Sequence, residues 1–300
     1  MSPFFSIVIP SYNRSKLIQG TLDSVLAQTF TDFEVWIVDN CSTDDTAEVV
    51  ASYTQRDARI QFYQNDQNYD RSYSRNRGIG MARGQYITLL DSDDFLLPEA
   101  LMEIQKVILK NQQAKLFYGN YQVVDSQRNV ISNPSKKEYF ANLKERILYG
   151  NFLACIGVFV ASSVFKTYLF DQNPMLIGSE DWELWIRIIH GIDHAVHHDK
   201  AIAQLQEHEN RTMNQFNGDA LEKRVQYIIE KHLHLAQKIN FENEFLSSCY
   251  LLIGNGFQES SQIDKAWYYW KKAIHAHMGF LLHRRSLALL KNMVIKSLYK

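Results

Sequence analysis

Over the first hundred positions, short apolar runs alternate with stretches whose apolar residues recur at helical spacing. The runs lie at about 5–10, 34–38, 60–64 and 86–90 and read as strands, and the helical patterns lie between them at about 15–28, 43–56 and 72–83. That alternation predicts a parallel sheet with helices on both faces. Further on come a helix at about 98–110, a strand pair around 115–132 joined by Asp125-Ser126-Gln127-Arg128-Asn129, a helix at about 138–149 and an apolar run at about 156–161. From about Asp219 the pattern is helical, with Val225, Ile228, Ile229, His232 and Leu233 at heptad-like spacing and a second such stretch over 266–273. A domain change is expected near Asn214 to Gly218, dividing the chain into 1–214 and a helical 215–300.

The end of the chain also stands apart in charge. After Asp264 there is no acidic residue, whereas Arg284, Arg285, Lys291, Lys296 and Lys300 are interleaved with Leu281, Leu282, Leu287, Leu289, Val294, Ile295 and Leu298. A basic amphipathic tail of this kind, residues 279–300, suits an anionic membrane surface. Packing of its apolar stripe on the helices before it is the equal alternative.

Composition changes this picture little. With 46 % hydrophobic and 22 % charged residues the chain is an ordinary globular protein, and a net charge of −1 leaves no bulk electrostatic footprint for nucleic acid. Cys41, Cys155 and Cys249 are widely spaced and form no CxxC, so they supply neither a zinc knuckle nor a disulfide framework and read as reduced thiols of a cytoplasmic protein. The N-terminus runs into the first strand without a cleavable signal, and no apolar stretch reaches the length of a membrane span. The expected location is the cytoplasm, with the tail as the one candidate for peripheral contact with the inner face of the plasma membrane.

The most informative segment is Asp91-Ser92-Asp93-Asp94, which follows the apolar run Tyr86-Ile87-Thr88-Leu89-Leu90. Carboxylates at the carboxyl end of a buried strand suit Mg²⁺ or Mn²⁺, ions that hold one or two protein carboxylates and leave other positions to water and substrate phosphates. An acidic turn capping the next helix, which Pro98-Glu99 would start, is the plainer reading of the same residues. Two more strands close into loops in the same way, at Pro10-Ser11-Tyr12-Asn13-Arg14 and at Asp39-Asn40-Cys41-Ser42-Thr43-Asp44-Asp45. Asp39, an acceptor-only carboxylate, selects a base edge with an N–H to give, which uracil N3–H and guanine N1–H both offer. Gly78-Ile79-Gly80 with Gly84 is not a dinucleotide fingerprint, because a helix and not a strand precedes the first glycine.

Together with Ser74-Arg75-Asn76-Arg77-Gly78 and Ser179-Glu180-Asp181-Trp182-Glu183-Leu184-Trp185, these segments closely resemble family 2 glycosyltransferases of the GT-A fold, of the bacterial polysaccharide and glycan-biosynthesis type. The resemblance covers roughly residues 4 to 212. It implies an α/β fold, a GT-A nucleotide-diphospho-sugar transferase with a mostly parallel central sheet flanked by helices, and a C-terminal helical appendage. Residues 1–94 would then be the nucleotide-binding half and 95–214 the acceptor-binding half of the catalytic domain.

The implied activity is an inverting, metal-dependent transfer of a sugar from a nucleoside diphosphate donor to a hydroxyl of a glycan or lipid-linked glycan. The resemblance resolves the base toward uridine, with Tyr12 stacking on it and Asp39 reading it, and so toward a UDP-sugar. Pro10, Arg14 and Ser92 complete the nucleotide site, Arg75 and Asn76 match the motif that faces the diphosphate, and Asp91 holds the ribose or a metal-bound water. Asp93 is the direct ligand of a divalent metal, Mn²⁺ or Mg²⁺. His208, in His208-Glu209-Asn210-Arg211-Thr212, resembles a downstream histidine that reaches the metal or the diphosphate. Asp181 of the Glu180–Asp181 pair is the general base, kept ionised by the helix N-terminus on which it sits.

His190, His194, His197 and His198 lack paired zinc spacing and read as structural or solvated. Trp182 or Trp185 is a candidate for stacking on an acceptor sugar, with core packing the competing role. Two other functions fit less well. A sugar-nucleotide pyrophosphorylase would need a Gly-rich phosphate loop where Pro10–Arg14 stands. A non-catalytic nucleotide-sugar-binding scaffold would have no use for Asp39, Asp93 and Asp181 together.

Overall fold

The first strand, β1 (Phe5–Ser11), is buried at every residue. A strand with no exposed side belongs inside a sheet covered on both faces. In the computed structural model, which describes residues 2–134, 142–208 and 217–298, β1 lies between β2 (Phe33–Asp39) and β4 (Tyr86–Leu89), parallel to both. Beyond β2 runs β3 (Ile60–Gln64), also parallel. The chain thus builds from β1 through β2 to β3 on one side and returns to the other side as β4, so strand order reverses between β1 and β4. In open α/β sheets such a reversal leaves a crevice at the carboxyl ends of the two strands, where ligands bind.

Past β4 the sheet is mixed, where the alternation of apolar runs predicts mostly parallel strands. β8 (Val158–Ala161) enters antiparallel between β4 and β6 (Leu116–Val124). β9 (Ala195–Gln206) runs parallel to β6, the short β5 (Phe95–Leu96) pairs antiparallel with β9, and β7 (Val130–Ser132) pairs with β6.

The helices α1 (Ile18–Leu26) and α4 (Ala100–Lys110) bury Ile18, Leu22 and Val25, and Leu101, Ile104 and Ile108, at helical spacing. These side chains join Phe5, Ile7, Ile9, Val35, Ile37, Phe117 and Phe159 in one core. Both α1 and α2 (Thr46–Arg56) begin about three residues later than their patterns predict. The reason is local: Asp44 accepts from Ser15 N, Ser15 Oγ and Thr46 N, and Asn13 accepts from Thr43 N, so the polar residues tie the two loops together instead of extending the helices. α3 (Arg71–Met81) starts where Asp70 caps it, accepting from Tyr73 N at 2.8 Å.

Two compact units divide the chain. The first comprises Met1–Lys137, Leu153–Gln172 and Arg187–His208, and it holds the sheet. The second comprises Glu138–Phe152, Asn173–Ile186 and Glu209–Lys300. It contains α5 (Leu143–Tyr149), the first part of α7 (Glu180–Gly191), and the helices α8 (Gly218–Lys238), α9 (Glu242–Glu259), α10 (Ile263–Ala276) and α11 (Arg284–Leu298). A four-residue helix, α6 (Ser162–Phe165), follows β8 in the first unit. The boundary expected near Asn214 lies outside the described residues, as do Glu209 to Thr212 and the start of the helix expected at 138–149. No described helix is long and apolar enough to cross a membrane.

Candidate active site

The register of the parallel strands sets Ser11 beside Asp39, and Leu90 N donates to Val8 O, so β1, β2 and β4 end at one edge. Tyr12, just past β1, is 41 % exposed, which leaves its ring open to a planar ligand. Asn13 takes a positive φ of 51° and turns the chain so that Arg14 heads back over the edge.

Arg14 Nη2 stands 3.5 Å from Asp93 Oδ2, and His208 Nε2 stands 2.9 Å from the same oxygen. The second approach follows from strand pairing. β5 pairs with β9 through Phe95↔Gln204 and Leu96↔Ala203, and Gln206 N donates to Asp94 Oδ1 at 3.0 Å, so the residues before β5 run alongside those after β9. Asp94 is buried and holds this junction. Ser92 is buried within the turn closed by Asp94 N donating to Asp91 O.

Asp91 is paired with Arg75, whose Nη2 lies 2.7 Å from Asp91 Oδ1. Arg75 is 2 % exposed, with its guanidinium 5.2 Å from the centre of the Phe170 ring. Its place is set by Gly78 one turn later: a Cβ there would lie 2.3 Å from Val8 Cγ1, so only glycine lets α3 rest this closely on β1. Of its neighbours, Arg77 is exposed and binds Tyr63, donating to its hydroxyl at 2.6 Å. Asn76 engages the backbone of Phe170 at both ends of its amide, donating to Phe170 O and accepting from Phe170 N, each at 2.9 Å. In this geometry Asn76 holds the segment against which Arg75 lies.

Asp39 has no exposed surface. Its carboxylate accepts from Ser42 N at 2.8 Å, from Ser42 Oγ at 2.5 Å and from Gln64 Nε2 at 3.0 Å, which fills three of its roughly four acceptor positions. Next to it Asn40 accepts from Asn65 and Tyr69 N, and Asn65 donates to Ser74. Pro10 sits within β1 opposite Val38. Ser11 Oγ, buried at the same edge with no hydrogen-bond partner, is a polar group that sequence patterns do not single out.

The acidic pair lies in the second unit. Glu180 is buried and Glu180 Oε2 accepts from Gly178 N at 2.6 Å. Asp181 is half-buried, Oδ1 accepting from Trp182 N at 2.7 Å and Oδ2 from Asn151 Nδ2 at 3.0 Å. Trp182 and Trp185 are 3 % and 1 % exposed, and Trp182 Nε1 donates to Ile147 O, so both rings belong to the core rather than to an open sugar platform. Glu183 was not expected to carry a role. It is fully buried and meets Lys231 Nζ at 2.9 Å and His232 Nε2 at 3.2 Å, which fastens the start of α7 to α8. Among the other histidines, His197 stacks on Tyr118 and shares a hydrogen bond with Asn120, and His198 is buried 3.9 Å from Glu103 with its pKa pushed down mainly by burial.

The Asp93 and His208 atoms fit a divalent ion. Two ligands at about 2.1 Å and at right angles are about 3 Å apart, and Asp93 Oδ2 and His208 Nε2 are separated by 2.9 Å. One carboxylate and one imidazole leave most positions to diphosphate oxygens and water; Mn²⁺ accepts such a mixed set, whereas Mg²⁺ favours oxygen ligands throughout. Arg14 adds a fixed cation at the same place.

The model of the glycosyl transferase family 2 matches residues 6–170, which contain the β1, β2 and β4 loops just described. The chain belongs to glycosyl transferase family 2. It is 32 % identical over 190 residues to the uncharacterized glycosyltransferase MJ1057 of Methanocaldococcus jannaschii, which covers 62 % of this chain and 65 % of that relative. It is 28 % identical over 186 residues, 61 % of this chain and 69 % of the relative, to the Escherichia coli UDP-Glc:alpha-D-GlcNAc-diphosphoundecaprenol beta-1,3-glucosyltransferase WfgD. Of three longer relatives the chain spans only 21–31 %. Among solved structures, residues 1–349 of Staphylococcus aureus TarS in complex with UDP-GlcNAc superpose with a TM-score of 0.71 at 23 % identity, over 100 % of this chain and 91 % of TarS 1–349. That likeness shows a shared fold: the α/β GT-A architecture with C-terminal helices.

Proposed function

We propose that this family 2 glycosyltransferase is an inverting enzyme that moves a sugar from a UDP-sugar to a hydroxyl of a glycan or lipid-linked glycan. The observation that carries the reading is the gathering of Arg14, Asp93, His208 and the Arg75–Asp91 pair at the carboxyl ends of β1 and β4, where strand order reverses. This is a site for a diphosphate and its counter-cations. WfgD, whose name records a UDP-glucose donor and a diphosphoundecaprenol-linked acceptor, supports the donor and acceptor classes.

In this reading Tyr12 stacks on the base, with Pro10 and Ser92 shaping the strand ends around the nucleotide. Asp39 accepts the uracil N3–H. Because Ser42 Oγ holds Asp39 Oδ1, the base must displace that hydroxyl or use the remaining lone pair. Asp91 faces the ribose, and Arg75, positioned with the help of Asn76, lies toward the diphosphate. Asp93 and His208 would hold Mn²⁺ or Mg²⁺, which when bound neutralises charge on the departing nucleoside diphosphate.

Asp181 takes the proton from the acceptor hydroxyl while that oxygen bonds to the sugar C1 and the C1–O bond to the diphosphate breaks, a single displacement with one inversion. Glu180, bound to Gly178 N, shapes the helix start that carries Asp181. The reaction takes place on the cytoplasmic side, with peripheral contact to a membrane where the acceptor is lipid-linked.

The test is isothermal titration of UDP, GDP, CDP and TDP, with and without Mn²⁺, into the protein and its Asp93→Ala variant. The expected result is Mn²⁺-dependent binding of UDP that Asp93→Ala loses. Preference for GDP would keep the fold and change the donor, and absence of nucleotide binding would overturn the proposal.

A further inference from the structure

α11 has two apolar faces. One is accounted for: Ser286, Leu289 and Met293, at helical spacing, are fully buried. Trp270 Nε1 donates to Ser286 Oγ at 2.9 Å, and Leu289 lies so close to Gly254 that a Cβ there would come within 2.9 Å of it. This is the packed stripe.

The opposite side of the helix carries Leu287, Val294 and Ile295, exposed by 45 %, 43 % and 42 %. The 3₁₀ turn that leads into it, Met278–Leu282, adds Met278 at 69 % and Leu282 at 79 %. An apolar patch of this kind on a soluble chain marks an interaction site. The charges within it have one sign. Arg284 and Lys291 are exposed among these residues, and no acidic residue follows Asp264. Arg285 and Lys296 turn elsewhere, Arg285 to Tyr149 O and Ser248 Oγ and Lys296 to Gln258 O.

We infer that this second face of α11, together with Met278 and Leu282, docks the second unit on an anionic lipid surface. A helix with apolar residues around the exposed cations Arg284 and Lys291 lies in the headgroup region of a bilayer, its aliphatic side chains among the acyl chains and its cations at lipid phosphates. An anionic headgroup layer is the occupant that this face complements, because its exposed charges, Arg284 and Lys291, are both cations and Met278, Leu282, Leu287, Val294 and Ile295 beside them are apolar. The packed stripe fixes the helix to the protein and the outer face fixes it to the membrane, so the two roles of the tail coexist. The inference deepens the reading of a lipid-linked acceptor and rests on that reading only for its purpose, not for its geometry.

The test is sedimentation of the full chain with vesicles of phosphatidylcholine alone and of phosphatidylcholine mixed with phosphatidylglycerol, alongside Leu282→Asp/Leu287→Asp and Arg284→Gln/Lys291→Gln. All four positions are exposed, and circular dichroism and UDP titration confirm folded variants. Expected is binding to the phosphatidylglycerol vesicles that falls about tenfold or more in the aspartate variant, and falls with the charge variant and with salt. Equal binding to both vesicles, wild-type binding by the aspartate variant, or a concentration-dependent dimer that this variant dissolves without any vesicle binding would overturn it. Vesicle binding without UDP binding would sink the donor assignment and leave this one standing.

Discussion

His208 Nε2 meets Asp93 Oδ2 at 2.9 Å although 115 positions separate the two residues. The antiparallel β5–β9 pair makes this contact, and it brings together the one carboxylate and the one imidazole assigned to the metal. An Asp93 carboxylate can only accept, so this hydrogen bond needs the hydrogen on Nε2, and a metal that took the Nε2 lone pair would require that hydrogen to leave. Replacing His208 by Ala should weaken Mn²⁺-dependent UDP binding by at least the roughly 10–100-fold that loss of a mere partner of a metal ligand costs, while leaving metal-free UDP binding nearly unchanged. Titration calorimetry with and without Mn²⁺ separates the two, and equal loss in both would remove His208 from the metal site.

Asp181 accepts hydrogen bonds from Trp182 N and Asn151 Nδ2, an arrangement that fixes the direction of its carboxylate. Asp181→Asn should bind UDP as the wild type does and turn over about 10²–10⁴-fold more slowly, the usual worth of a general base. Asn151→Ala should lower turnover by less, since the carboxylate stays. Single-turnover transfer from a UDP-sugar measures both. A variant at position 181 with wild-type turnover would show that another group takes the proton.

Gly78 and Gly80 lie on the same helix and should respond in opposite directions. A Cβ at Gly78 would lie 2.3 Å from Val8 Cγ1 and 3.2 Å from Val38 Cγ2, whereas at Gly80 it would meet nothing within 4 Å. Gly78→Ala therefore overpacks the α3–β1 contact, costs about 1–3 kcal/mol and shifts Arg75, weakening UDP. Gly80→Ala should stabilise by about 0.5–1 kcal/mol through helix propensity alone. Urea unfolding of the two variants is the measurement, and equal effects would contradict the packing described.

The strands of the first ninety residues were legible because each is a short buried apolar run ending in a polar loop, and the observed bounds differ by a residue or so. The loops that carry Arg14, Asp39 and Asp93 were legible for the same reason: strand ends on a parallel sheet share an edge. What the pattern did not carry was pairing. β5 has two residues and no periodicity to read, yet it delivers Asp93 to His208. The hold of Asn76 on Phe170 spans 94 positions and that of Glu183 on His232 spans 49, and no local spacing signals either. The polar residues Ser42, Thr43 and Asp44 have the pattern of a helix start and serve instead as the hydrogen-bonded link between two loops.

At the amino-terminal edge of the sheet a buried carboxylate makes stability depend on acid. Glu34 is 4 % exposed and accepts from Ser6 Oγ, from Arg83 N and from the Arg83 guanidinium, the last at 2.8 and 3.0 Å. Burial alone would raise its pKa, but these donors outweigh burial and hold it below the ordinary value of 4.5. A carboxylate whose pKa is lower folded than unfolded contributes stability that is present above about 4.5 and is lost as pH falls through the folded value. Glu34→Gln removes the charge that Arg83 and Ser6 bind, so it should cost about 1.5–3 kcal/mol at pH 7. Below pH 4.5 the gap between variant and wild type should narrow, because protonation takes from the wild type what the substitution has already removed. Urea midpoints of both proteins across this range give the answer, and a gap that stays constant as the solution is acidified would show that Glu34 is not the group responsible.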